Sequence, residues 1–466
     1  MNNFVGIVAF CKNNGIGKNN TIPWNIKDDI LFFKIITKNC IVVMGKNTYD
    51  SLPEKHKPLK DRLNIVLTNS PDNYDKSASS NLIYTNYDDV FSIIEDNIMS
   101  YSNVFVIGGV SIYELFYNNI SSFYVTYIEK SFDVDKHFPM LTNDFSLCVH
   151  SKNHWNENEQ CYFRFLKYYR VSSSKYVHDE TYFQLAKRVL SSNQERTNRT
   201  DISTMSVFGD QISFDIGKSV PLLTTKRVAW KSCIEELLWF MRGDTDANIL
   251  KQKKVNIWNG NSSRDFLDKV GLTHLDEGDC GANYSFQWRY YGQQYMDCNT
   301  EYIKNTKHDQ INNIIHLLKT DPYSRRIFLS AWNPVDLDKT VLPPCHVSVQ
   351  FYVDNDKGLS CHMYQRSCDV FLGLPFNIFS YTVLTYILAK KCNLTPRKLI
   401  ISLGDVHIYS NHIEQIKEQM SRNALAYPVL VLSDHIVNKE IEDINIDDFE
   451  LVGYFPHNSI KAPMAV

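Results

Sequence analysis

The chain has 466 residues, 44% apolar and 22% charged, with a formal net charge of −3; this is an ordinary globular balance, long enough for about two or three domains. So small a charge gives no global pull toward nucleic acid or an anionic membrane, and no RNA-binding motif is present. The eleven cysteines form no C-x-x-C pair and keep no regular spacing, which argues against a disulfide framework or a metal site and for a reducing compartment, the cytoplasm.

Met1-Asn2-Asn3-Phe4-Val5-Gly6-Ile7 enters a strand-like run with no basic n-region or cleavage site. Through the first third, short continuous apolar runs at 5–10, 41–44, 65–67 and 104–107 read as strands buried on both faces. Helix-like stretches at about 28–37, 88–100 and 111–117 alternate with them, predicting an α/β domain with a mainly parallel sheet and flanking helices. Asp29 follows Ile22-Pro23-Trp24-Asn25 and opens a helix containing Phe32 and Phe33. An acid there is usually a cap or dipole partner, but one set beside aromatic rings can hold a proton at higher pH and help protonate a heterocycle. Ile107-Gly108-Gly109 ends a strand just before a helix from Ser111, where bare backbone lets a phosphate approach, although Gly-Gly alone is equally a tight turn. Gly15-Ile16-Gly17 is no stronger, and neither completes the six-residue dinucleotide fingerprint of an ordinary Rossmann domain.

Near Lys167 the character changes. A polar break, Val171-Ser172-Ser173-Ser174-Lys175, is followed by Tyr182, Leu185, Ala186, Val189 and Leu190 at helical spacing. These features predict a first domain at 1–168, a short linker at 169–180 that limits separation of the halves, and a second domain at 181–466. The second half mixes helices (about 233–241, 310–319, 378–391, 412–420) with alternating strands such as 347–353, an α+β pattern. Its longest apolar stretch, about 376–389, is broken by Asn377, Ser380, Thr382 and Thr385, too short to span a bilayer, and reads as a buried helix. Cys345 lies in Leu342-Pro343-Pro344-Cys345-His346, with Gln365-Arg366-Ser367 one hairpin downstream and Arg325-Arg326 upstream. A thiol is a good nucleophile only as thiolate and needs such cations nearby; singly, a cysteine is most often a small buried hydrophobe and an arginine pair a solvated surface.

Taken together, the segments from 342 to 346, Tyr364-Gln365-Arg366-Ser367-Cys368-Asp369, Leu374-Pro375-Phe376-Asn377 and Gly404-Asp405-Val406-His407-Ile408-Tyr409 strongly resemble the thymidylate synthase family. So do Glu235-Glu236-Leu237-Leu238-Trp239-Phe240, Asp321-Pro322-Tyr323-Ser324-Arg325-Arg326 and the closing Ile460-Lys461-Ala462-Pro463, a likeness running from about Tyr182 to Val466. The resemblance implies that Cys345 adds to C6 of dUMP, making C5 nucleophilic toward the methylene carbon of 5,10-methylenetetrahydrofolate. It further implies that Arg199, Arg366 and Ser367 hold the phosphate, joined by Arg325 and Arg326 of a second subunit, as suits forked guanidinium donors. His346, Gln365 and Asp369 are implied in the dUMP site, Asn377 at the uracil edge, and His407 with Tyr409 at the ribose hydroxyl. Glu236 would organise proton-carrying waters, Tyr284 would assist loss of the C5 proton, and Trp258 with Asp369 would line the folate side. Departures from the family pattern are Asp201 after Arg199-Thr200, Asn259 after Trp258, and Ala282 in the run from Cys280 to Tyr284; none removes a reacting group.

Over about 3–168, Gly15-Ile16-Gly17-Lys18-Asn19, Ile22-Pro23-Trp24, Val43-Met44-Gly45-Lys46-Asn47-Thr48-Tyr49 and Val106-Ile107-Gly108-Gly109 resemble dihydrofolate reductase in composition and order. That likeness implies that Asp29 binds the pterin and promotes protonation of N5 while NADPH delivers hydride to C6. Ala9, Ile30, Phe33, Thr48, Leu52, Ile107, Tyr113 and Thr126 are implied around the folate, and Arg62 at its glutamate carboxylate. Ile16, Gly17, Gly45, Lys46, Asn47, Thr48, Thr68, Asn69, Gly108, Gly109, Val110 and Ser111 are implied around NADPH, with a cis peptide between Gly108 and Gly109. Thr68-Asn69 replaces the Ser-Arg common after that strand. The resemblance as a whole implies a bifunctional enzyme, homodimeric through its second half, whose partners are dUMP, folates and NADPH. The alternative is an active synthase with a non-catalytic, folate-binding first half as scaffold.

Overall fold

The computed structural model describes residues 4–74, 79–171, 177–192, 194–197 and 202–463, in two compact units, Met1–Lys175 and Tyr176–Val466. The first unit is built on a nine-stranded sheet. From one edge its strands are His154–Asn156, Cys161–Arg170, Ile120–Ile128, Phe4–Cys11, Val104–Gly108, Ile41–Gly45, Leu63–Leu67 and Leu82–Thr85, with Phe145–His150 also paired to Cys161–Arg170. The strands from Ile120–Ile128 through Leu82–Thr85 pair parallel, and the C-terminal three add on antiparallel, so the sheet is mainly parallel as expected. Ile41, Val42, Val43 and Met44 are fully buried, which is why a parallel strand covered on both faces reads as an unbroken apolar run.

The helix Lys27–Ile36 buries none of its residues completely. Phe32 turns inward to stack on Phe165 at 4.2 Å, whereas Ile30 is 59% exposed. One apolar flank of this helix is therefore left open. The peptide between Gly108 and Gly109 is cis, and the following helix starts one residue earlier than expected, at Val110.

In the second unit a six-stranded sheet runs Glu195–Arg196, Thr204–Asp215, Thr395–Tyr409, Gly358–Asp369, His346–Val353, Phe328–Ser330. Only Gly358–Asp369 and Thr395–Tyr409 pair parallel. The apolar stretch expected as a buried helix is the middle of Gly373–Cys392, a 20-residue helix. It begins earlier than expected because Pro375 sits in its first turn, where a missing N–H breaks no helical bond. No helix among the described residues is long and apolar enough to cross a membrane.

Residues 169–180, expected as linker, hold the end of one strand through Arg170 and the start of the helix His178–Leu190. The helix starts early because Asp179 belongs to the core. Its buried carboxylate accepts the N–H groups of Thr224 and Thr225 at 3.1–3.2 Å and the Thr225 hydroxyl at 2.6 Å. Asp179→Ala strips these donors of their acceptor in a dry site and is expected to cost about 2–3 kcal/mol. The check is urea unfolding of the second unit; an unchanged midpoint would contradict this account.

Candidate active sites

Cys345 stands at the mouth of the strand His346–Val353, half-buried, directly after Pro343-Pro344. Its backbone is held from two sides. The Cys345 N–H donates to the Tyr284 hydroxyl at 2.6 Å, and its carbonyl accepts the Arg366 N–H at 2.8 Å. The Arg366 side chain returns to the same turn, donating Nε to the Pro344 carbonyl and Nη2 to that of Pro343, each at 2.8 Å. Among the described residues nothing accepts a hydrogen bond from Nη1. Tyr284 opens the helix Tyr284–Tyr290, fixed by the Asn283 side chain accepting the Ser285 N–H at 3.0 Å. Burial, and after it the nearby Cys345, push the Tyr284 hydroxyl well above the usual range. His346 stacks on Tyr284 at 4.1 Å between centroids, and burial holds its imidazole neutral, pushed down to about 3.

Two adjacent acids on the helix Trp230–Arg242 meet different surroundings. Glu235 pairs with Lys253 at 2.6 Å, while among the described residues the carboxyl of Glu236 accepts only the Trp258 indole N–H at 2.8 Å. Burial lifts Glu236 to about 7, against the lowering effect of that hydrogen bond. Gln365 donates its amide N–H groups to the Ser367 carbonyl at 3.0 Å and to Asn377 Oδ1 at 3.1 Å. The Asn377 oxygen is thereby turned toward Gln365, and Gln365 Oε1 stays buried with no partner among the described residues, as an acceptor kept for a ligand would be. Ser367 and Asp369 lie in register with Asp405 and His407. Asp369 accepts the N–H groups of Phe371 and Leu372 at 3.0 and 3.3 Å, and His407 Nδ1 lies 3.0 Å from Asp405. Tyr409 packs its ring on His407 at 5.4 Å.

Arg325 and Arg326 are exposed; among the described residues no acid pairs with either, and nothing links them to Cys345 or Arg366. Arg199 and Asp201 lie outside the described residues. Lys226 was not singled out in the sequence. It is buried, donates Nζ to the Phe371 carbonyl at 2.5 Å and lies over the Phe371 ring. Burial pushes it down to about 7, against the pull of Asp369. The signal available was a basic pair, Lys226-Arg227, between apolar runs.

In the first unit, Ala9 and Thr126 are register partners on neighbouring parallel strands, and the Thr126 hydroxyl donates to Asp29. Burial nevertheless raises Asp29 to about 6, the hydrogen bond opposing it. Tyr113 donates its hydroxyl to the Ile7 carbonyl at 2.6 Å and is near enough for Asp29 to add to the upward push of burial. Phe33, Leu52 and Ile107 border one apolar cluster. Arg62 is buried, its guanidinium 5.6 Å from the Phe33 ring, and donates to Thr37 Oγ1, Lys60 O and Lys34 O at 2.8–3.1 Å. Each terminal nitrogen keeps a second N–H, a fork suited to a carboxylate.

Two short helices, Lys46–Ser51 and Val110–Phe116, begin at Gly45 and Gly109 with no side-chain cap. They start side by side: a Cβ on Gly109 would meet Thr48 Oγ1 at 3.4 Å, and one on Gly45 would meet Ile112 at 3.0 Å. The first N–H groups of each helix have no partner within that helix, a donor set that suits an anion. Lys46 is ion-paired with Asp50 and lies 5.1 Å from the Tyr74 ring. Ile16 and Gly17 lie in a short ribbon against Lys136–His137. Thr68 accepts the Ser70 N–H at 3.3 Å, and Asn69 is exposed.

The family model for dihydrofolate reductase matches residues 3–170, and that for thymidylate synthase matches residues 180–466. Over 476 residues, 99% of each chain, the sequence is 41% identical to the bifunctional dihydrofolate reductase-thymidylate synthase of Paramecium tetraurelia. It is 38% identical over 511 residues to bifunctional dihydrofolate reductase-thymidylate synthase 2 of Arabidopsis thaliana, covering 99% of this chain and 88% of the relative. For the bifunctional dihydrofolate reductase-thymidylate synthase of Plasmodium chabaudi the identity is 37% over 490 residues, 91% and 83% of the two chains. With both models matched in order and relatives similar along nearly the whole length, the chain belongs to the bifunctional dihydrofolate reductase–thymidylate synthase family.

Proposed function

We infer that the second unit converts dUMP and 5,10-methylenetetrahydrofolate to dTMP and dihydrofolate, and that the first reduces dihydrofolate to tetrahydrofolate with NADPH. The observation that carries this reading is the two-sided clamp on Cys345, with Tyr284 at its N–H and Arg366 at its carbonyl. It holds one thiol beside a buried phenol and a cation. The Cys345 sulfur forms a bond to C6 of the pyrimidine, and C5 then attacks the methylene carbon. Tyr284 helps remove the C5 proton, and Glu236, raised to about 7, can both take and give protons through water near neutrality. Asn377, His346 and Gln365 read the pyrimidine, and His407 and Tyr409 hold the ribose. Arg199, Arg366 through its free Nη1, and Ser367 hold the phosphate; Trp258 and Asp369 face the folate.

In the reductase, Asp29 binds the pterin and keeps a proton available, Arg62 offers its fork to the glutamate carboxylate, and Ala9, Ile30, Phe33, Thr48, Leu52, Ile107, Tyr113 and Thr126 enclose the ring and its tail. NADPH supplies the hydride. Ile16, Gly17, the segments 45–48 and 108–111, and Thr68-Asn69 surround it. We assign a homodimer through the synthase half. Its support is the exposure of Arg325 and Arg326, without acid partners among the described residues, and of Phe208 (80%) and Tyr352 (67%) on strands of the sheet. A cytoplasmic location suits a chain that depends on a free thiol.

The test supplies dUMP, methylenetetrahydrofolate and NADPH without dihydrofolate. dTMP formation and NADPH loss are expected to proceed in equal amounts. dTMP accumulating with no NADPH loss would instead make the first unit a folate-binding scaffold.

A further inference from the structure

Tyr381 is fully buried on the helix Gly373–Cys392, and its hydroxyl lies 2.7 Å from Nδ1 of His346. No other hydrogen-bond partner for that hydroxyl is found among the described residues, nor any for His346 Nε2. The rings packed on His346 are Tyr284 (4.1 Å, nearly parallel), Tyr381 (5.3 Å, edge-on) and Phe240 (6.1 Å). A buried hydroxyl hydrogen without an acceptor costs about 1–3 kcal/mol. If Nδ1 carried the proton, Tyr381 would be an acceptor and its own O–H would point at nothing. If Nδ1 carries the lone pair, the Tyr381 hydroxyl donates to it, and the N–H left over is on Nε2, an atom not sealed from solvent that can meet water or a ligand.

We propose that Tyr381 is a positioning residue that fixes His346 as the tautomer with its proton on Nε2, giving the pyrimidine site a standing N–H donor. This rests on the synthase reading of the site. The consequence reaches the thiol, because the ring locked by Tyr381 is the one stacked on Tyr284, whose hydroxyl accepts the Cys345 N–H at 2.6 Å. Tyr381 thus acts on the reacting groups through His346, without touching the substrate.

The tautomer can be observed directly, independently of turnover. In the full-length enzyme labelled with 15N-histidine, the His346 ring, assigned by its loss in His346→Asn, is expected to show a protonated Nε2 and a bare Nδ1. A proton on Nδ1 would overturn the proposal. In Tyr381→Phe both tautomers are expected, with kcat for dTMP formation down by about tenfold and KM for dUMP within about twofold. A Tyr381→Phe enzyme with an unchanged His346 spectrum would also overturn it. Should that variant fail to fold, the wild-type spectrum alone decides. Failure of the wild-type enzyme to make dTMP would count against the synthase reading, while the spectrum would still judge Tyr381.

Discussion

Cys345→Ser is expected to lower dTMP formation by on the order of 10³-fold or more, as for loss of a nucleophile that works as a unit with its site. NADPH-dependent reduction of added dihydrofolate is expected to be untouched. Serine keeps the backbone contacts that place the residue, namely the N–H to Tyr284 and the carbonyl to Arg366. Any loss therefore reports on sulfur chemistry and not on a collapsed turn. A serine hydroxyl is a far weaker nucleophile than a cysteine sulfur in the same place. Four other cysteines of the second unit cannot stand in: Cys233, Cys280, Cys361 and Cys368 are fully buried, and burial pushes each thiol far up. dUMP should still bind, because its expected contacts lie on Arg366, Ser367, Asn377, His407 and Tyr409. A serine enzyme that makes dTMP at a tenth of the normal rate would exclude Cys345 as the nucleophile.

The residues that a linear pattern could reveal were those whose neighbours in sequence create their surroundings. Cys345 follows two prolines, Asp29 precedes two phenylalanines, and the strand Ile41–Gly45 is apolar throughout because both its faces are covered. What stayed hidden depends on contacts between distant positions. Tyr381 meets His346 from 35 residues away, Asp179 meets Thr224 from 45, and Lys226 meets Phe371 from 145. No periodicity marks such side chains, since their importance lies in what the tertiary fold brings to them. The same is true of the two neighbouring glutamates. Glu235 and Glu236 look alike in sequence, yet Lys253 reaches one and Trp258 the other. The start of the helix Gly373–Cys392 was misplaced for a local reason, because a proline reads as a boundary when it can equally occupy a first turn.

Asp29→Asn is expected to lower the rate of dihydrofolate reduction by about 10² to 10⁴-fold, the usual worth of a positioned proton donor. The amide can keep some hydrogen bonds to the pterin, so binding should suffer less than turnover. The pH profile gives the sharper test. A carboxyl raised to about 6 is mostly protonated below that pH and ionised above it. A reduction that draws on this proton slows as pH rises past about 6, approaching about tenfold per unit. The asparagine enzyme has no such group and should lose this inflection. Thr126 provides the sign control. Its hydroxyl donates to the carboxylate and so favours the ionised form, lowering a value that burial raises. Thr126→Val removes that donor, so the inflection should move to higher pH. Single-turnover NADPH oxidation from pH 5 to 8 reads all three enzymes. A wild-type rate flat across that range, or an inflection shifted downward in Thr126→Val, would show that Asp29 is not the acid whose proton the reduction uses.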